Sequence, residues 1–241
     1  MTIAFLFSVL RKRNDVADIA WGKGFFVVAW IVLLTTGYFF EKQLLVSTLV
    51  TLWGMRLALH IFTRNRGKKE DHRYEDMKKA WKGNFYINSY LRVFLSQGFL
   101  MLLISIPVIF INSSDVQGID LLSIIGASVW LLGFFFESVG DYQLSQFIKD
   151  PKNKGHVMQS GLWRYTRHPN YFGEVTQWWG VWLIAASIPN GFITIIGPLV
   201  ITLLIFKVSG IPLLEKKYAG RPEWEEYKKK TSMFFPLPSK K

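Results

Sequence analysis

Residues 160–181 read SGLWRYTRHPNYFGEVTQWWGV, a run too polar for an ordinary membrane span and too apolar for an ordinary loop. Arg164, Arg167 and His168 precede Pro169, and the apolar stretch that follows carries Asn170, Glu174 and Gln177 with it. Proline at the first helical position loses no hydrogen bond, so the pattern predicts a helix that starts at Pro169 with His168 as its N-cap. The first turn of such a helix offers unpaired N–H groups and the positive end of a dipole beside two arginines, which suits an anion such as phosphate. Asn170, Glu174, Gln177 and Trp178 share roughly one face. The same helix thus offers charge recognition at its mouth and hydrogen bonding farther in. Each residue also has a plainer reading, because Arg, His and Trp anchor helices at membrane interfaces. Glu174 resists that reading: a carboxylate inside a span costs about 2.5–3.5 kcal/mol on insertion scales, and such groups face polar cavities.

The rest of the chain places this stretch in a membrane. Half of the 241 residues are hydrophobic and the formal net charge is +12, with the basic residues lying between long apolar runs where they act as topology signals and meet anionic headgroups. Nucleic-acid binding is excluded on that distribution. No cysteine is present, which removes disulfides and thiolate chemistry, and the histidines at 60, 72, 156 and 168 show no metal-ligand spacing. Apolar spans are predicted near 24–40, 44–62, 93–111, 119–138 and 191–208, with the 160–188 stretch as a further crossing and residues 2–10 as a short or truncated first one. The segments 11–23, 64–92, 149–168 and 207–241 hold nearly all the Lys and Arg. The expectation is an all-α, polytopic integral membrane bundle of about seven helices, N-terminus outside and C-terminus cytoplasmic. Residues 1–241 form one integral membrane domain on this reading, and the 160–174 site opens to the cytoplasm.

Other polar residues fall at informative places. Asp15 and Asp18 lie three apart in RKRNDVADIAWGKG, which reads as a solvated interfacial turn or as a functional element. Arg56 and His60 stack on one helical face. The 119–138 helix runs on through ESVGDYQLSQFIKDP, bringing Glu137 and Asp141 to one face and ending near Lys149. The tail carries Glu215, Tyr218 and Tyr227, either as ligand contacts or on a solvated amphipathic helix. Acids that bind hydroxyls or amides beside basic groups that bind phosphates suit a nucleotide cofactor. GxGxxG and GxxxxGK[ST] are both absent, so neither a Rossmann nor a P-loop mode applies.

GLWRYTRHPNYFGE, with ESVGDYQL upstream and GIPLLEKKYAGRPEWEEYKKKTSMFFP downstream, resembles the C-terminal region of the steroid 5α-reductase superfamily, particularly its bacterial branch. RHPNY with a following acid is also similar to sterol C14-type reductases, while RHPxY alone is shared with isoprenylcysteine carboxyl and phospholipid methyltransferases. The resemblance covers about residues 120–241, and RNDVADIAWG and LALHIFTRNRGK extend it toward the N-terminus. It implies a membrane fold in which residues 119–241 hold NADPH and a lipophilic substrate enters from the bilayer on the side of residues 1–112. Asp141, Asn170 and Glu174 match polar cofactor contacts, Glu137 occupies an asparagine position, and Trp178 matches a pocket aromatic. With Lys149, Arg164, Tyr165, Arg167, His168, Tyr171, Glu215, Tyr218 and Tyr227 they complete the expected cofactor set. Such reductases polarise an enone carbonyl with a Glu and Tyr pair. Asp18 stands where the Glu is expected, but Ile61 occupies the tyrosine position, which leaves His60, Tyr74 or Tyr86 as replacement donors; Asp18 and His60 are taken as the catalytic pair. Two rivals remain: an S-adenosylmethionine-dependent lipid methyltransferase, weakened because Lys216 and Lys217 follow Glu215, and a non-catalytic membrane scaffold.

Overall fold

The computed structural model describes residues 1–239, apart from the side chain of His72. Among them the regular elements are all helical. In order they are α1 (Thr2–Arg11), α2 (Val16–Thr36), α3 (Glu41–Asn65), α4 (His72–Ala80), α5 (Phe85–Ile104), α6 (Ile106–Asn112), α7 (Leu121–Lys149), α8 (Pro169–Ala186), α9 (Ile196–Leu203), α10 (Ile211–Tyr218) and α11 (Pro222–Lys230). Five runs are long and apolar enough to cross a membrane: Val16–Thr36, Glu41–Asn65, Phe85–Ile104, Leu121–Lys149 and Gly191–Tyr218. The chain thus has the make-up of a multi-pass membrane protein. The 18-residue α8 is not one of the five, because Asn170, Glu174 and Gln177 dilute its apolar residues.

The chain forms two compact units, Met1–Ile119 with Ile188–Ile196, and Asp120–Ser187 with Gly197–Lys241. In the first, α2 and α3 make a hairpin in which Gly22 and Gly54 meet backbone to backbone: a Cβ on Gly54 would lie 2.4 Å from the Gly22 carbonyl oxygen. Phe25 meets Trp53 edge-on at 5.1 Å. Trp30 Nε1 donates to Thr51 Oγ1 at 2.9 Å. Asn112 ties α6 to both helices, donating to Ala29 O and Ser47 Oγ. Two boundaries differ from the hydropathy reading. Helix α2 starts at Val16, eight residues before the predicted edge, and Asn14 and Asp15 are buried. Arg13 grips both Asp15 oxygens, and Asn14 N donates to Glu70, which pairs with Lys78. The expected solvated turn is therefore a charge-paired clasp. Helix α5 starts at Phe85 because the Asn84 side chain caps the N–H groups of Tyr86 and Ile87.

The second unit is organised by α7 and α8. Gly126, Gly133 and Gly140 recur every seven residues on α7, and Gly173 and Gly180 do so on α8. A Cβ on Gly133 would sit 2.6 Å from Gly173 O, and one on Gly180 2.6 Å from Gly126 O. Small residues in such a seam let two helix backbones touch. As the sequence predicts, His168 is the N-cap of a helix with Pro169 in its first turn, and α7 continues unbroken to Lys149.

Gly133→Leu is expected to destabilise this unit by at least the roughly 1–3 kcal/mol typical of overpacking, whereas Ser128→Leu, at an exposed position of the same helix, should be nearly neutral. Thermal unfolding of the detergent-purified variants measures the difference.

Candidate functional site

In the second unit, the turn before α8 is held by the C-terminal tail. Arg167 donates through Nε and Nη2 to Glu215 Oε1, at 3.1 and 2.7 Å, and through Nη1 to the carbonyls of Thr231 and Lys228, at 2.8 and 3.2 Å. Its backbone N–H donates to Ser232 O, beside the isolated bridge between Thr166 and Ser232. Tyr227 is buried and donates its hydroxyl hydrogen to Trp163 O, and burial pushes its phenol above the ordinary range. Glu223 accepts from Val157 N and Gln159 Nε2. The tail is therefore a brace. Of the two expected phosphate ligands, Arg167 is spent on internal bonds and Arg164 stays exposed, as do Lys149 and Tyr165.

Deeper in, acids on α7 meet amides on α8. Gln177 Nε2 donates to Glu137 Oε2 at 2.5 Å, and Asn170 Nδ2 to Asp141 Oδ1 at 3.1 Å. Glu137, Asp141 and Trp178 are buried, while Glu174 and Tyr171 are half-buried. His168 is 1% exposed, lies face to face with Tyr171 at 5.6 Å, and sets Nε2 3.4 Å from Glu215 Oε1. Burial pushes the imidazole below its usual value, against the opposing pull of Glu215. Tyr218 packs on Trp224 under Arg221. The structure thus brings Glu137 and Asp141 onto Gln177 and Asn170, and Arg167 and His168 onto Glu215.

In the first unit, Asp18 lies in the first turn of α2 and takes two bonds from α4: Tyr74 OH donates to Oδ1 at 2.6 Å, and Arg73 Nη2 to Oδ2 at 2.8 Å. Gln97 Nε2 donates to the Tyr74 oxygen at 3.3 Å. Burial first, and then the charge of Asp18, pushes the Tyr74 phenol well above its ordinary range, so it stays protonated at neutral pH. Of the replacement donors open to the sequence, the structure joins Tyr74 to Asp18; Tyr86 is 53% exposed, and His60 is half-buried on α3. Tyr74 packs with Ala17, Val93 and Phe94. Phe94 also walls an apolar cavity of about 320 Å³ lined by Tyr90, Leu95, Gly98, Phe99 and Leu102. Sequence reasoning missed Arg73 and Gln97, and it placed Gln177 on the hydrogen-bonding face without its partner Glu137. The RY pair of EDHRYEDM was the available signal. Among the described residues no cluster of metal-ligating side chains occurs.

A family model described as "Protein of unknown function (DUF1295)" matches residues 4–231. The chain belongs to the DUF1295 family. It is also similar to 3-oxo-5-alpha-steroid 4-dehydrogenase 1 of Bos taurus, 33% identical over 63 residues, which are 26% of this chain and 24% of the bovine protein. Membership in DUF1295 together with this match agrees with a steroid 5α-reductase-like superfamily. No solved structure matches.

Two outcomes follow from the DUF1295 site. Arg167→Ala, which strips buried carbonyls and Glu215 of their donors, should cost roughly 3 kcal/mol; Arg164→Ala should leave unfolding unchanged. The His168 value is lowered in the fold, so between it and the unfolded value of about 6.5 the unfolded chain binds more protons. Stability contributed by neutral His168 is complete above that pH and is lost as pH falls below it. The advantage of the parent over His168→Gln in apparent Tm should shrink between pH 7.5 and 5.

Proposed function

We propose that the chain is a membrane-embedded reductase that moves hydride from NADPH to the activated C=C of a lipophilic substrate such as an enone, polyprenoid or fatty-acyl group. The observation that carries this reading is the Tyr74 hydroxyl on Asp18, backed by Gln97. Hydride addition to an enone builds negative charge on the carbonyl oxygen, and a preorganised hydrogen-bond donor at that oxygen lowers the barrier. The one phenol hydrogen of Tyr74 rests on Asp18 Oδ1, so the proposed donation requires the O–H to turn from Asp18 to the carbonyl oxygen, while Gln97 donates to the phenol oxygen and Arg73 holds Asp18. Asp18 is then an orienting acceptor and Tyr74 the donor, with His60 in reserve on α3. The apolar cavity beside Phe94 supports a lipophilic substrate and contact with membrane lipid.

The second unit fits the cofactor. His168 Nδ1, Asn170 Oδ1 and Gln177 Oε1 are buried acceptors without a partner, which suits the hydroxyls and amide of a nucleotide, while exposed Arg164 and Lys149 suit its phosphates. Glu174, Trp178, Tyr171, Tyr218 and Glu215 complete the proposed contacts. Arg167 and Tyr227 hold the turn in place. NADPH would supply the hydride. The proposed topology counts α8 as a sixth crossing and α1 as part of a seventh, with the N-terminus outside and the basic connections and cofactor site cytoplasmic. Residues 1–241 then act as one membrane domain, with 1–112 on the substrate side.

Purified protein given NADPH deuterated at the transferred position and a panel of enones is expected to return deuterium on a substrate carbon. Tyr74→Phe should lower kcat by about 10²- to 10⁴-fold with NADPH affinity unchanged. Parental turnover in Tyr74→Phe would remove the phenol from the chemistry.

A further inference from the structure

The connection between α3 and α5 joins two runs long and apolar enough to cross a membrane, Glu41–Asn65 and Phe85–Ile104, which puts residues 66–84 at one membrane surface. Apolar side chains stay exposed right up to it: Phe62 at 52%, Tyr86 at 53% and Ile87 at 58%. Residues 66–84 hold seven basic residues against four acids. Glu70 pairs with Lys78, while Asp71, together with Asp18, takes Arg73. Arg66, Lys68, Lys69, Lys79 and Lys82 are exposed and, among the described residues, form no ion pair. Lys12 is exposed beside them: Lys78 Nζ lies 3.5 Å from its carbonyl oxygen, and Arg13 donates to the carbonyls of Lys68 and Lys69. Like charges crowded in this way repel one another, and the two remaining acids, Glu75 and Asp76, do not balance them. The same segment is lightly anchored. Helix α4 has nine residues, too few to be stable alone. It buries Tyr74 and leans Met77 and Trp81, at helical spacing, on the cluster of Ala17, Val93 and Phe94. Its other ties are polar: Arg73 and Tyr74 to Asp18, Gln97 to Tyr74, and Lys78 to Glu70.

We propose that residues 66–84, with Lys12, are a binding surface for the anionic lipid headgroups of the leaflet they face, and that this contact holds α4, and Tyr74 with it, against Asp18. Lipid is the occupant, in place of an acidic protein or a free anion, because exposed Phe62, Tyr86 and Ile87 flank the cations at the height where headgroups sit. Crowding that costs repulsion in the bare protein favours the docked segment once a layer of anions faces it, since the anions attract the cations most strongly where they are gathered. Neither hydride transfer nor a cofactor enters into this contact.

Hydrogen exchange of the full-length protein, in nanodiscs of phosphatidylcholine alone or mixed with phosphatidylglycerol, tests this without substrate or cofactor, so its failure and that of the reductase reading are separate. Amides of residues 72–80 are expected to exchange at least about fivefold more slowly with phosphatidylglycerol, the effect of roughly one basic residue at an anionic surface. Amides of residues 126–140 on α7 should not respond. High salt should shrink the difference, because screening weakens it. The combined variant Arg66→Gln, Lys68→Gln, Lys79→Gln and Lys82→Gln breaks no ion pair; it should match the parent in phosphatidylcholine and lose the response to phosphatidylglycerol. Equal exchange of 72–80 in both lipids, or a variant that responds as the parent does, would overturn the surface. Inorganic phosphate that protects α4 equally well in phosphatidylcholine would overturn lipid as its occupant. If the combined variant fails to fold, Lys79→Gln with Lys82→Gln decides in its place, and a parental response there overturns the surface.

Discussion

The second unit depends on two helix backbones touching. With glycine at 126 and 133 on α7 and at 173 and 180 on α8, the two backbones meet directly, and Gly140 makes room for the Pro169 ring. The contact fixes how deep the neighbouring polar residues lie. Glu137 and Asp141 are then carried against Gln177 and Asn170 at hydrogen-bonding distance. Wider spacing would leave four polar groups facing an apolar medium, each at the cost of a buried group without a partner. The glycine seam and the polar seam are thus one device, since close backbones make short polar bridges and the bridges compensate for burial.

Much of the fold was legible because local rules agreed with the final packing. His168–Pro169 is a helix start on local chemistry alone, and the turn at Ile188, Pro189 and Asn190 closes with Asn190 in the left-handed region, which asparagine tolerates better than most residues. Helix α7 runs through its polar end because nothing in ESVGDYQL breaks it. Hydropathy failed at the starts of α2 and α5, where polar residues are helical or buried because of partners distant in sequence: Glu70 for Asn14, Arg73 for Asp18 and Asn14 for Ser89. Asn84 was a readable cap that the apolar window outweighed. The seven-residue glycine period was also present in the sequence, but it becomes a signal only once α7 and α8 are known to be neighbours.

The candidate site was legible in residue type more than in role. Placing Arg167 before a helix start suggested a phosphate ligand. The structure gives it Glu215, 48 residues away, and two carbonyls of the tail, a choice that no local pattern carries. The tail acts as a brace for the same reason, since Tyr227, Thr231 and Ser232 meet the 163–167 turn only through the fold. In the first unit Ile61 stands where the resemblance implies a tyrosine, and Tyr74 reaches Asp18 from another helix.

The account turns on a nucleotide that donates hydride, so the most direct measurement is the shift in apparent Tm of the detergent-purified parent with NADPH, NADH and S-adenosylmethionine in parallel. A ligand that binds only the folded protein stabilises it by RT ln(1 + [L]/Kd). The account predicts a saturable rise in Tm with NADPH and none with S-adenosylmethionine. Stabilisation by S-adenosylmethionine alone, or by none of the three, would contradict it.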